Sequence, residues 1–129
     1  IAIITVLPDV IPMLRGSVAR AGLEKRVTEI SSVDIPVLEL QDRGRLLKAL
    51  YEKSAAAVRT GGAEAIVLGC TAMIDVAEEL EGMLQKENFE VPVLEAAQSA
   101  LMMLELHIRM GLRHSRRTYR KVRNKDGND

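Results

Sequence analysis

Apolar residues along the chain fall into two alternating patterns. IAIITVL (1–7) is a short apolar run rich in β-branched residues, and it predicts a strand buried on both faces. Pro8 ends that strand, and Asp9 is placed to cap a helix that puts Ile11, Leu14, Val18 and Ala21 on one side, weakened by Gly16 and ended by Gly22. VTEISSV (27–33) reads as a second, less apolar strand suited to a sheet edge, and Pro36 biases DIPVLEL (34–40) toward extended backbone. Residues 41–62 then carry Leu46, Leu47, Leu50, Tyr51, Ser54 and Val58 as one helical stripe, stopped by Gly61 and Gly62. EAIVLG (64–69) is a third strand. TAMIDVAEELEGMLQKENF (71–89) is a helix by its spacing of Met73, Ala77, Leu80 and Leu84. VPVL (91–94) is a fourth strand and residues 95–112 a fourth helix.

Strand and helix thus alternate four times. This order predicts an α/β fold: a four-stranded parallel sheet with right-handed crossovers and helices on both faces. The fourth helix has only a thin polar stripe of Glu95, Gln98, Ser99, Glu105 and Arg109. A helix so apolar around its girth is expected to be buried on more than one side, between two domains or two subunits. The expected division is therefore an α/β domain over 1–112 and a basic, partly disordered tail over 113–129.

Composition narrows the function classes. The chain has 129 residues, enough for one core, and only 2% are aromatic, so that core must be aliphatic with help from six Met. Net charge is zero, which argues against an electrostatic nucleic-acid binder. The last seventeen residues do hold seven Lys or Arg against two Asp, but a tail this polar, with Tyr119 alone to stack on a base, reads as solvated. One Cys excludes an internal disulfide, and one Cys with two His is too few for the usual structural zinc site. No apolar run is long enough to span a bilayer, and no secretory signal pattern opens the chain, so a cytoplasmic protein without membrane partners is expected. A chain opening at Ile1 inside a buried strand suggests a piece of a longer protein.

The candidate chemistry centres on Cys70, which follows VLG at the carboxyl end of the third strand, where parallel α/β sheets bind ligands. Gly69 would allow close backbone approach, and Thr71 is expected to cap the next helix. The free N–H groups and dipole of that helix would favour a thiolate and a bound anion. The competing reading is an inert, packed Cys. Of the other candidates, His107 is expected to be a packed or interface residue, His114 exposed, and Asp75 a residue inside the helix complementing its dipole. No P-loop, dinucleotide fingerprint or metal motif is present in the sequence.

EAIVLGCTAMIDVAEEL with VPVLEAAQSAL, preceded by IITVLPDVIPML and followed by GLRHSRRTY, resembles the second half of the aspartate/glutamate/hydantoin racemase superfamily, hydantoin-type branch, to about Val122. The resemblance implies one half of a two-domain protein whose halves face each other across a cleft. It implies proton transfer at an acidic α-carbon by cysteine thiols, with no cofactor and no metal. Cys70 would be one acid/base group. Thr5, Val6, Gly69, Thr71 and Ala72 would contact a small-molecule substrate: a hydantoin, an amino acid or a related carboxylate. Related sequences often have two successive Thr where this chain has Thr5 and Val6, and Ala72 stands where amino-acid racemases often have His. The implied partners are an N-terminal half and further copies in a homo-oligomer, and the 129 residues alone are expected to be inactive. A single-cysteine malonate-type decarboxylase, a dicarboxylate cis–trans isomerase and a non-catalytic binding module are the alternatives.

Overall fold

The computed structural model describes residues 1–120. Strands β1 (Ala2–Thr5), β2 (Glu29–Ser32), β3 (Ile66–Leu68) and β4 (Val93–Glu95) form one sheet in the order β2-β1-β3-β4. All three pairings are parallel, with Ile4 opposite Ser31 and Leu68, and Leu68 opposite Glu95. The helices are α1 (Ile11–Arg20), α2 (Arg43–Gly61), α3 (Ala77–Gln85) and α4 (Ala96–Arg109). β2 lies at an edge, as its weaker apolar pattern predicts.

The first compact unit runs from Ile1 to Ser99. Side chains alternate across the sheet. Ala2, Ile4, Ile66, Leu68 and Val93 share one phase and are buried, together with Leu46, Leu47 and Leu50 of α2 and Leu80 and Leu84 of α3. Each such fully buried side chain is worth about 1.5–3 kcal/mol over leaving it in water. The opposite phase holds Ile3 and Val67, with Leu14 of α1 close to Ile3 beside Gly69. Helices therefore cover both faces, as the alternation of elements requires.

The helix ends follow local chemistry where a local cap exists. Asp42 accepts a hydrogen bond from the Arg45 amide at 3.0 Å and so starts α2, and Gly62, at φ +62°, ends it in the left-handed conformation. Asp9 does not cap α1: it lies in a 3₁₀ turn, Pro8–Val10, and α1 begins with no side-chain cap. The extended stretch expected over 34–40 is interrupted by a second 3₁₀ turn, Val37–Glu39, directly after Pro36.

Two expectations fail at the third and fourth helices. α3 starts at Ala77, six residues later than the spacing predicts. Glu95 belongs to β4, not to the helix that follows. The second unit begins at Ala100. Among the described residues it holds the rest of α4, closed by Gly111 at φ +65°, and a short turn in which the His114 and Tyr119 rings meet edge-on at 5.2 Å. A surface ion pair, Arg109–Glu105 at 2.6 Å, supports the helix. The apolar residues of α4, among them Leu101, Met103, Leu104 and Ile108, are exposed in this chain, and so is His107. The basic tail beyond Arg120 lies outside the described residues.

Candidate active site

The carboxyl ends of the four strands bring Ser32, Thr5, Gly69 and Glu95 toward one edge of the sheet. β1 and β3 stay hydrogen-bonded past the last strand residue, with the Gly69 amide donating to the Ile4 carbonyl at 2.8 Å. That bond draws Gly69 tight against β1. A Cβ there would lie 3.0 Å from Ile3 Cγ2, 3.3 Å from Leu14 Cδ1 and 3.4 Å from the Ile4 carbonyl oxygen, so a side chain at this position would press on β1 and α1. Cys70 follows immediately, half-buried, with one side against the apolar core. It is neither sealed in hydrocarbon nor free in solvent.

Beyond Cys70 the chain turns instead of entering a helix. The Met73 amide donates to the Cys70 carbonyl at 3.1 Å, closing a turn over Thr71 and Ala72, both exposed. Thr71 is therefore not a helix cap. Met73 and Val76 drop into the core at 1% and 2% exposure and anchor the loop. Asp75, expected inside the helix, sits before it at φ +56°, a left-handed conformation seldom taken by residues with a Cβ.

The amino terminus of α3 is already occupied. The buried Glu95 carboxylate accepts from the amides of Val76 and Ala77, both at 2.9 Å, and of Asp75 at 3.2 Å. Those donors, with the dipole behind them, serve a side chain of the protein and are not offered to Cys70 or to a substrate. The helix-field argument for Cys70 therefore fails. What stands beside the thiol is the turn itself: among the described residues the N–H groups of Cys70, Thr71 and Ala72 have no protein acceptor.

Thr5 and Val6 follow Ile4 where β1 meets β3, as Gly69 and Cys70 follow Leu68, but both are buried. The Thr5 hydroxyl is enclosed and has no hydrogen-bond partner among the described residues. Such an orphaned group costs about 1–3 kcal/mol. On the far side of Thr5, Ser32 donates to Asp34 at 2.6 Å, and Asp34 is itself left-handed at φ +57°. Reasoning from sequence missed Ser32, Asp34, Glu95 and Arg43. Glu95 had a signal: it follows Val91 and Val93 on the buried phase of a strand, where a carboxylate needs donors.

Elsewhere in the first unit an open groove at the amino end of β2 is lined by Arg15, Val18, Glu24, Val27 and Thr28 and holds neither cysteine nor histidine. Among the described residues no cluster of three His, Cys, Asp or Glu side chains is arranged to hold a metal, and no helix is long and apolar enough to cross a membrane.

The family model for Asp/Glu/hydantoin racemases matches residues 1–104. The chain belongs to this family. Hydantoin racemase from Rhizobium meliloti is 32% identical over 105 residues, covering 81% of this chain and 42% of that protein. Hydantoin racemase from Pseudomonas sp. (strain NS671) is 30% identical over 127 residues, covering 97% and 49%. Among solved structures, allantoin racemase from Klebsiella pneumoniae superposes with a TM-score of 0.80 at 30% identity, over 89% of this chain and 45% of that one. Allantoin racemase from Pseudomonas fluorescens gives 0.79 at 29% identity, over 96% and 52%. This member of the Asp/Glu/hydantoin racemase family thus spans about half the length of the relatives it matches, and its parallel sheet with helices on both faces is the racemase architecture.

Proposed function

We propose that the full-length protein is a cofactor-independent racemase or epimerase acting at the acidic α-carbon of a hydantoin or amino-acid derivative. Cys70 exchanges a proton with that carbon on one face. A second acid/base group, on a facing half of the protein, serves the other face. One observation carries this reading: a partly exposed thiol at the carboxyl end of a central strand, on a turn whose next amides have no protein acceptor. The relatives named hydantoin racemase support the substrate class.

In this mechanism the Cys70 sulfur, as thiolate, takes the α-proton, and as thiol it returns one. Negative charge then develops on the substrate oxygen conjugated to the α-carbon. The amides of Cys70, Thr71 and Ala72 and the Thr71 hydroxyl stabilise that oxygen, a task preorganised dipoles perform without reorganising. Gly69 holds the turn against β1 and thereby fixes where the sulfur stands. Thr5 and Val6 form the floor beside it, and the unpartnered Thr5 hydroxyl is a donor for substrate once local movement admits it. The exposed apolar surface of α4 supports a subunit or domain interface in the full-length protein.

Acid–base catalysis by one positioned group is worth about 10²–10⁴-fold. Cys70→Ser in the full-length protein should therefore slow loss of optical rotation from a 5-substituted hydantoin by at least that range. Racemisation at the parent rate would refute the role. Carbon dioxide released from a malonate, with no racemisation, would instead assign the single-thiol decarboxylase chemistry.

A further inference from the structure

The loop between Cys70 and α3 is held from two sides at one residue. Asp75 is left-handed, a strained conformation that persists only where the surroundings over-determine it. Its amide donates to Glu95 Oε2 at 3.2 Å. Its carbonyl accepts from Arg43 Nη2 at 2.6 Å, and the same guanidinium pairs with Glu79 at 3.0 Å. Glu95 comes from the end of β4, Arg43 from the start of α2 and Glu79 from the first turn of α3. Two elements far apart in sequence, β4 and α2, therefore meet on one strained backbone unit, five residues after the thiol, and Glu79 holds the arginine in place.

A capping role alone would need only the Val76 and Ala77 amides, which Glu95 Oε1 already takes. The contacts to Asp75 reach further back along the chain, toward Cys70. We infer that Glu95 is a positioning residue for Cys70: with Arg43 it clamps Asp75 and so fixes the turn that sets the depth and direction of the sulfur. The inference rests on the Cys70 reading above. If the clamp opens, the loop loses its outer anchor and keeps only Met73 and Val76, so the half-buried sulfur becomes more accessible.

The test reads the thiol directly, in the 129-residue chain without substrate. Iodoacetamide alkylation of Cys70 is timed at 25 °C, with folding verified by far-UV circular dichroism. Glu95→Gln and Arg43→Ala should each speed alkylation more than threefold, and hydrogen exchange should quicken at the Asp75 amide. Leu84→Ala, which destabilises α3 away from the loop, should leave the alkylation rate within threefold. Arg43 is half exposed, so its removal keeps the test available if Glu95→Gln does not fold. Alkylation within threefold of the parent in every folded variant overturns the clamp. Failure of the proposed function would look different: racemisation would survive Cys70→Ser whatever the alkylation rates.

Discussion

Helices α2 and α3 both begin with an acidic cap, and the two caps are built differently. Asp42 caps α2 from three residues away, in the helix's own sequence, on the surface. Glu95 caps α3 from eighteen to twenty residues away, across the sheet edge, in a buried site. A local cap starts a helix and does little else. A remote cap also ties two elements together and orders the chain between them, and here that chain begins with Cys70. The late start of α3 follows from the same fact, because the Glu95 donors are the amides of residues 75–77.

This contrast can be broken by mutation. Glu95→Ala removes the shared acceptor of three amides, one bond buried and two part-buried, and should cost about 2–4 kcal/mol in urea denaturation. Asp42→Ala should cost about 0.5–2 kcal/mol by the same measurement, the range for an ordinary N-cap. Equal losses would remove the distinction drawn between the two ends. Asp75 sharpens it: if its φ of +56° is imposed by the clamp, Asp75→Gly should be more stable than Asp75→Ala by about 1 kcal/mol in thermal melts.

The smallest effect lies at the far end of α3, where Glu87 bonds both the Tyr51 hydroxyl and Arg59. The Tyr51 hydrogen bond, helped by Arg59, holds the Glu87 carboxyl below its ordinary 4.5, and the same bond to Glu87 holds the Tyr51 hydroxyl above its ordinary 10.0. A depressed carboxyl stabilises the fold above its unfolded value and loses that contribution as pH falls through the folded one. The raised phenol acts in the opposite sense, stabilising below 10.0 and fading as pH rises through its folded value. Denaturation midpoints of Tyr51→Phe and the parent should therefore differ slightly at neutral pH and converge in acid. These groups are well exposed, so a large gap at neutral pH would contradict the assignment.

The sheet was readable from the sequence because strand cores and helical stripes are local patterns. Leu46, Leu47 and Leu50 carry α2 at helical spacing, and Gly62 ends it as a glycine can. The family was readable from the strand, Cys70 and the V-P-V strand together. Residues 71–76 were misread for a physical reason. Met73, Ala77, Leu80 and Leu84 keep helical spacing, yet Met73 reaches the core from a turn, and Asp75 breaks the helix under contacts from Glu95 and Arg43 that no local window contains. The close packing of Gly69 on Ile3 and Leu14 is another non-local fact.

Under the proposed function, Cys70 moves a proton on carbon. The direct measurement is uptake of solvent deuterium at the α-carbon of a single-enantiomer 5-substituted hydantoin, followed by proton NMR, with full-length parent protein and its Cys70→Ser variant. The parent should incorporate deuterium, and the variant none above background. Incorporation by the variant at the parent rate would contradict this role.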